Sequence, residues 1–234
     1  MTGAQPSDAP RRGCFITFEG PDGGGKTTQI ARLAARLEAR GIPVVTTREP
    51  GGSPGADAIR QIVLSGAAEG LGVETEALLF AAARYDHVRT VILPALQKGA
   101  VVLCDRFLDS TRAYQGSVPG LDRAFLEELE AATTVDARPD LTIILDLPTD
   151  ISLRRLAERR KSDAADRFEK DGIELHQARR QTFLDIAARE PNRCAVIEAT
   201  GPLDEVSDRI ERVVIDRCGD VLSRLARSRA GATA

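Results

Sequence analysis

Residues 15–28 read FITFEGPDGGGKTT, an apolar run followed by glycines, one lysine and two threonines. An apolar run of this length is typical of a buried strand. The segment after it, residues 27–40, has the spacing of an amphipathic helix that ends at Gly41. Its apolar side chains recur at i, i+3, i+4 and i+7, and they are Ile30, Leu33, Ala34 and Leu37. A glycine-rich turn between a strand and a helix predicts an α/β fold.

The turn itself fits the pattern GxxxxGK[ST] of a phosphate-binding loop, or P-loop. Its glycines allow several backbone N–H groups to face one anion, and the start of the helix adds partial positive charge. Lys26 would reach the β- and γ-phosphates of a nucleoside triphosphate, and the Thr27 hydroxyl would bind Mg²⁺. The residues predicted to bind the triphosphate are Gly20, Pro21, Asp22, Gly23, Gly24, Gly25, Lys26, Thr27 and Thr28.

Five short β-rich runs recur along the chain, with helical patterns between them. They span residues 14–20, 43–49, 100–106, 141–147 and 193–199. Each run is nearly continuously apolar, as strands covered on both faces are. Strands that alternate with helices predict a parallel sheet.

No linker interrupts this alternation, so we expect one domain over residues 13–218. Residues 1–12 are polar and rich in proline, which predicts a flexible extension. Residues 219–234 are rich in small and basic side chains, and we expect them to form a frayed tail.

The composition argues against several classes of protein. A net charge of −3 gives no general attraction to nucleic acid or to a membrane surface, and we expect neither as a partner. No run approaches the ~18 apolar residues of a transmembrane helix, and the N-terminus lacks the apolar core of a signal peptide. Four cysteines without CxxC spacing disfavour a zinc site or a disulfide framework. Reduced, buried thiols fit a cytoplasmic protein.

The P-loop alone does not separate GTPases, motor ATPases and small-molecule kinases. The chain has no NKxD or TKxD guanine motif, which disfavours a GTPase. A kinase must hold a second anionic substrate against the γ-phosphate, which calls for arginines at the carboxyl ends of strands. Arg48 lies near the end of the second run, and Asp105 and Arg106 end the third. Asp105 also matches an acid that can hold Mg²⁺ through water.

Phe80 and Arg84 lie four residues apart in the segment LLFAAAR and would share one face of a helix. A phenylalanine beside an arginine could stack on a base and donate hydrogen bonds to its edge. From the spacing alone, a core phenylalanine beside a surface arginine is the competing interpretation.

Several separate motifs resemble those of the thymidylate kinase family: FEGPDGGGKTT, TREPGGS, LLFAAAR, DRFLDSTRAYQG, RPDLTIILD and a late DRFE. The resemblance runs from about residue 14 to about residue 215. It implies a three-layer P-loop kinase fold whose five-stranded parallel sheet has the order 2-3-1-4-5. It also implies transfer of the γ-phosphoryl group of Mg-ATP to dTMP, giving dTDP, by a homodimer.

The resemblance implies a dTMP site and the roles of its residues. Arg48 and Arg106 would hold the dTMP phosphate, Phe80 would stack on thymine, and Arg84 would bond the base edge. Tyr114 would crowd the ribose 2′ position and so favour deoxyribose. The full set is Asp22, Arg48, Phe80, Arg84, Arg106, Ser110, Thr111 and Tyr114.

For the ATP site, the resemblance implies that Arg155 stacks on adenine and that Ala199 lies in the loop packed against it. One branch of the family has an arginine at the position of Gly23, and another supplies arginines from a mobile lid. Here the lid would span about residues 154–169, with candidates at Arg159, Arg160 and Arg167. The segment KSDAAD does not align with the usual short lid, so the choice among them stays open. The implied catalytic set is Asp22, Lys26, Arg48, Arg106 and Arg167.

Two other functions keep the same P-loop. A kinase for another nucleotide or for a deoxynucleoside would need a different base pocket or would lack the acceptor-phosphate arginines. A nucleotide-regulated binding protein would hydrolyse ATP slowly and would have no phosphoryl acceptor.

Overall fold

A computed structural model describes residues 13–118, 120–134, 137–159 and 171–230. Five strands form one parallel sheet with the order β2-β3-β1-β4-β5, which confirms the predicted order. The strands are β1 (Cys14–Glu19), β2 (Val44–Arg48), β3 (Val101–Asp105), β4 (Leu141–Asp146) and β5 (Cys194–Glu198). Each lies within one of the five predicted runs.

Helices cover the sheet on both faces. They are α1 (Lys26–Glu38), α2 (Pro54–Ser65), α3 (Val73–His87), α4 (Leu93–Gln97), α5 (Leu108–Tyr114), α6 (Arg123–Thr133), α7 (Thr149–Arg159), α8 (Ile173–Arg189) and α9 (Leu203–Ala230). A π-helical turn, Val88–Ile92, joins α3 to α4, and a short 3₁₀ helix, Glu69–Leu71, precedes α3. The apolar face predicted for α1 is buried.

Alternation along β1 divides the core between the two faces of the sheet. Cys14, Ile16 and Phe18 pack in the cluster that α1 and α9 complete. Phe15 points the other way and packs edge-on against Phe107, with ring centroids 5.0 Å apart. The result is the predicted three-layer α/β fold.

The strand register sets the position of the functional residues. Arg48 at the end of β2 pairs with Asp105 at the end of β3, and Asp105 pairs with Phe18 of β1. The carboxyl ends of these three neighbouring strands therefore meet at one edge of the sheet. The P-loop and Arg106 follow directly from β1 and β3, so they lie at the same edge.

The C-terminal segment differs from its prediction as a frayed tail. Helix α9 continues to Ala230, and Cys218, Leu222 and Leu225 are buried in the cluster beneath α1. These three side chains lie four and three residues apart on one helix face, which gives the segment a reason to stay helical. The prediction is therefore corrected for residues 219–230, whereas residues 1–12 and 231–234 lie outside the described residues.

All four cysteines are buried, as predicted, and none forms a disulfide. Among the described segments, no helix combines the length and the apolar character needed to cross a membrane.

Candidate active site

A cavity of about 1070 Å³ opens at the edge of the sheet where β1, β2 and β3 end. Of the predicted site residues, those that line it are Asp22, Gly23, Gly25, Lys26, Thr27, Thr28, Arg48, Phe80, Arg84, Asp105, Arg106, Ser110, Thr111, Tyr114 and Arg155. Gly20, Pro21, Gly24 and Ala199 do not line it. Arg160 and Arg167 lie outside the described residues, as does the lid beyond Arg159. One cleft thus gathers most of the residues predicted for both substrates.

Lys26 begins α1 and is buried, with its side chain folded back onto the P-loop. Its Nζ donates hydrogen bonds to the carbonyl oxygens of Gly20 at 3.0 Å and Pro21 at 2.9 Å. Burial, together with the charge of Arg106, lowers the pKa of Lys26 to about 8, although nearby carboxylates oppose the shift. The ammonium group is therefore a cation whose charge depends on pH near neutrality.

Helix α7 packs directly on the P-loop. Ser152 Oγ donates to the Asp22 carbonyl oxygen at 2.6 Å, and Arg155 donates to the carbonyl oxygens of Gly23 and Ala199, both at 3.3 Å. Gly23 has a φ of 75°, and a Cβ built on it would lie 2.9 Å from the Ser152 carbonyl oxygen. Glycine is needed there by backbone conformation and by space. Arg155 thus connects the P-loop with the loop that follows β5.

Thr27 and Asp105 meet across the loop. The Thr27 hydroxyl donates to Asp105 Oδ2 at 2.6 Å, and both residues line the cavity. The P-loop after β1 and the carboxylate at the end of β3 therefore present oxygen atoms at one point.

Arg106 is the one non-glycine residue with positive φ among the described residues, at 67°. Its guanidinium donates to Asp22 Oδ1 at 2.5 Å and to Ser110 Oγ at 3.0 Å, and it lies 5.0 Å from the Tyr114 ring centroid. The Tyr114 hydroxyl donates to the other Asp22 oxygen at 2.9 Å. Burial alone would raise the pKa of Asp22, but the charges of Arg106 and Lys26 hold it well below its usual range. Asp22 is therefore a carboxylate that fixes the guanidinium.

Glu19 holds the strained turn that carries Arg106, and sequence reasoning missed it. Its Oε1 accepts from the backbone N–H groups of Phe107 at 2.7 Å and Ser110 at 3.2 Å, and its Oε2 accepts from Ser110 Oγ at 2.6 Å. Burial raises the pKa of Glu19 to about 7, with Asp109 adding to the shift. The available signal was a carboxylate at the end of the otherwise apolar strand FITFE.

Arg48 differs from Arg106 in its surroundings. Its side chain is 59% exposed, and its ion pair with Asp57 is loose, with 3.9 Å between the guanidinium and the carboxylate. It projects into the cleft from an edge strand, where a charged end group stays hydrated. An anion that enters the cleft could bind this side chain, since the contact with Asp57 that the side chain would give up is loose.

Phe80 and Arg84 lie one turn apart on α3, and both line the cavity. Arg84 is 3% exposed, so it is not the surface arginine of the competing interpretation. Its Nε donates to Glu49 Oε2 at 2.8 Å, and its Nη2 donates to Thr111 Oγ1 at 2.9 Å. A half-buried ring and a fixed guanidinium therefore border the same part of the cleft.

Sequence reasoning missed Glu49 and His87, two buried residues that lie behind Arg84. Glu49 follows Arg48 directly, and His87 lies three residues after Arg84 on the same helix face. Both are buried, and the His87 ring bonds to the Glu49 carboxylate at 3.1 Å. The helical spacing of Arg84 and His87 was the signal available in the sequence.

Comparisons with known proteins give a consistent result. The family model described as thymidylate kinase matches residues 18–210. The chain is 53% identical over 217 residues to the thymidylate kinase of Bradyrhizobium sp. (strain ORS 278), covering 93% of this chain and 96% of the relative. It is 51% identical over 219 residues to that of Afipia carboxidovorans, covering 94% and 96%.

A solved structure agrees with these relatives. The crystal structure of thymidylate kinase from Ehrlichia chaffeensis matches with a TM-score of 0.68 and 36% sequence identity, covering 87% of this chain and 98% of that chain. Each comparison covers most of the sequence, and the match to the family model includes all the cleft residues, from Asp22 to Arg155. The chain belongs to the thymidylate kinase family.

Proposed function

We propose that this protein transfers the γ-phosphoryl group of Mg-ATP to dTMP, giving dTDP and ADP. The observation that carries the proposal is one cleft that is lined by the P-loop lysine, by two strand-end arginines and by the pair Phe80 and Arg84. Membership of the thymidylate kinase family supports the same reaction.

The acceptor site in this proposal lies between α3, α5 and the end of β2. Arg48 and Arg106 would bind the dTMP phosphate, and Phe80 would stack on thymine. Arg84 uses two of its N–H groups on protein partners, and an arginine has five donors, so others are available for a base carbonyl. The Tyr114 ring would border the sugar and disfavour a 2′-hydroxyl.

The donor site would lie along the P-loop. Backbone N–H groups of the loop and Lys26 would bind the ATP phosphates, and the Arg155–Ala199 contact would border adenine. Lys26 would exchange its two loop carbonyl oxygens for phosphate oxygens. Arg167 is outside the described residues, so its role as a lid arginine stays a prediction.

The Thr27–Asp105 pair fits a magnesium ion in its chemistry. Mg²⁺ prefers oxygen ligands and usually keeps several waters beside one or two carboxylates and the substrate phosphates. A hydroxyl and a carboxylate at hydrogen-bonding distance offer such a partial set. When bound, the ion would neutralise charge on the β- and γ-phosphates.

The transfer itself needs no general base, because the attacking oxygen of the dTMP phosphate is already anionic. That oxygen forms a bond to the γ-phosphorus while the bond from the γ-phosphorus to the β–γ bridging oxygen breaks, and ADP leaves. The protein positions the two phosphates and offsets their charge with Lys26, Arg48 and Arg106. Asp22 orients Arg106 for this role, through the bond described above.

A coupled ADP-release assay with Mg-ATP and a panel of acceptors tests the proposed reaction. The panel contains dTMP, dUMP, dCMP, AMP, GMP, dGMP, thymidine and no acceptor, with the product identified by chromatography. We expect fast release and dTDP formation with dTMP. We expect dUMP to be ~10–200-fold slower, since it lacks one methyl group, and purine monophosphates to be slower still.

Two results would contradict the proposal in different ways. Equal rates with dTMP and dGMP would remove the base-site roles of Phe80 and Arg84. ADP release that no acceptor increases would favour a nucleotide-regulated binding protein instead.

We also propose that the enzyme is a homodimer formed through α3. Leu78 and Tyr85 lie seven residues apart on this helix and are 47% and 48% exposed, with the exposed Ala82 between them on the same face. Arg89 extends the row, its guanidinium 5.4 Å from the Tyr85 ring centroid. An apolar row along one helix would be buried if the same helix of a second copy packed against it.

Substitution of Leu78 by glutamate tests the dimer, because a buried charge without a partner opposes association. We expect the natural protein to sediment as a dimer and Leu78→Glu as a monomer in analytical ultracentrifugation. Ile215→Glu on α9 is the matched control, since Ile215 is also an exposed aliphatic residue, and it should remain dimeric. A monomeric natural protein, or a dimeric Leu78→Glu variant, would contradict this assignment.

A further inference from the structure

We propose that His87 is a positioning residue that holds Arg84, the base-reading arginine, and the segment from Thr47 to Ser53, which carries Arg48, in one arrangement. The proposal rests on the acceptor-site roles proposed above for Arg84 and Arg48. His87 is 0% exposed and does not line the cavity, so it would act through other residues.

The Glu49 carboxylate connects His87 with Arg84. Its Oε2 accepts from Arg84 Nε at 2.8 Å, and its Oε1 lies 3.1 Å from His87 Nδ1. All three side chains are buried, so water does not compete strongly for these bonds. The bond through Oε2 therefore orients the Arg84 guanidinium, and the bond from His87 to Oε1 orients the Glu49 carboxylate.

The partners of the imidazole determine which nitrogen carries a proton. An ionised carboxylate only accepts hydrogen bonds, so Nδ1 donates to Glu49. Nε2 lies 2.6 Å from Thr47 Oγ1, and in the neutral ring it accepts from that hydroxyl. Both nitrogens are thus used, each by a residue that flanks Arg48 in sequence.

This flanking matters because neighbouring side chains of an extended segment point to opposite sides. Glu49 still pairs with β3, its N–H donating to the Asp105 carbonyl oxygen at 2.9 Å. Thr47 and Glu49 therefore face His87 while Arg48 faces away. A single imidazole holds the strand end on both sides of the phosphate-binding arginine.

The loop after Arg48 also folds onto this ring. Gly52 has a φ of 88°, and a Cβ there would lie 2.7 Å from His87 Nε2 and 2.4 Å from Thr47 Oγ1. The next residue, Ser53, donates to Asp86 Oδ2 at 2.6 Å. Two consecutive residues of α3, Asp86 and His87, therefore hold the segment from Thr47 to Ser53.

The arrangement predicts an effect on base choice. Arginine donates hydrogen bonds and accepts none, so a fixed Arg84 favours a base carbonyl over an amino group at the edge it contacts. Thymine and cytosine differ in this way at position 4. If the Glu49 carboxylate loses its His87 partner, Arg84 gains freedom, and discrimination between dTMP and dCMP should weaken.

Two substitutions separate the bonds of His87. In His87→Asn, the amide N–H can lie near the position of Nδ1 and still donate to Glu49. In His87→Gln, the longer side chain reaches the position of Nε2 instead, and the donor to Glu49 is lost. We expect His87→Gln to raise the KM for dTMP and to lower the dTMP/dCMP ratio of kcat/KM, each about tenfold, with the KM for Mg-ATP unchanged. His87→Asn should recover most of the ratio.

His176→Gln is the matched control, because His176 is the other buried histidine and lies on α8, whereas Phe80 and Arg84 lie on α3. It should leave the dTMP/dCMP ratio unchanged. Should His87→Gln fail to fold in a thermal unfolding assay, Glu49→Gln weakens the carboxylate that joins His87 to Arg84 and should lower the ratio in the same way.

The proposal would be overturned by a folded His87→Gln or Glu49→Gln variant whose dTMP/dCMP ratio stays within about twofold of the natural value. It would also be overturned if His87→Asn and His87→Gln lost the ratio equally. A failure of the proposed function is distinguishable, because the unsubstituted protein would then show no dTMP-dependent ADP release.

Discussion

Replacement of Arg106 by alanine is expected to lower kcat for dTMP by roughly 10³-fold, the scale of an arginine that offsets charge in phosphoryl transfer. The guanidinium is held by Asp22, Ser110 and the Tyr114 ring at the point where both substrates would meet. Its removal would also leave the Asp22 carboxylate without its main counter-ion. Steady-state kinetics with saturating Mg-ATP and dTMP would measure the change.

Two control variants separate the effect of losing the Arg106 charge from the effect of its backbone conformation. The residue has a φ of 67°, a conformation that glycine adopts without cost and alanine does not. Arg106→Gly should therefore be more stable than Arg106→Ala but equally impaired in catalysis. Arg106→Lys keeps a charge without the forked donors and should lie between the alanine variant and the natural protein. A near-normal kcat for either Arg106→Ala or Arg106→Gly would remove the assigned role.

Lys26→Met should lower kcat/KM for Mg-ATP by about 10²–10³-fold, the usual effect of removing one preorganised donor from a transition-state charge. Methionine fills a similar volume, so the loop should keep its shape. Lys98→Met is the control, because Lys98 is exposed and lies outside the cleft, and it should behave as the natural protein.

The same residue should give a pH signature. Burial and the charge of Arg106 lower the pKa of Lys26 to about 8. The side chain therefore carries its positive charge below that pH and loses the proton and the charge above it. We expect kcat/KM for Mg-ATP, which reports the free enzyme, to fall as the pH rises through about 8. This alkaline fall should be absent from Lys26→Met. A flat profile for the natural protein would contradict the role of the lysine charge.

The sequence was most informative where local chemistry and position coincide. The apolar run before the P-loop predicted β1, and the strand-end arginine and carboxylate at residues 105–106 predicted one wall of the cleft. The order of the strands did not follow from periodicity, because several orders satisfy the same pattern of strands and helices. It came from the resemblance to thymidylate kinases and is confirmed by the sheet.

Sequence reasoning missed residues that hold other residues of the cleft in position. Glu19 and Glu49 lie within the motifs FEGPDGGGKTT and TREPGGS, and His87 lies in none of the motifs. The roles of all three appear only when the chain folds and brings their partners within hydrogen-bonding distance. The left-handed conformation of Arg106 is likewise a tertiary effect that its residue type does not favour. At the C-terminus, small and charged residues obscured the helical spacing of Leu222 and Leu225.

The contact between α7 and Gly23 has a consequence for the side chains that the P-loop can carry. A side chain at residue 23 would collide with the Ser152 carbonyl oxygen, so a loop arginine and a helix packed this closely exclude each other. A Gly23→Arg substitution alone would therefore push α7 off the P-loop and break the contacts that Ser152 and Arg155 make with it.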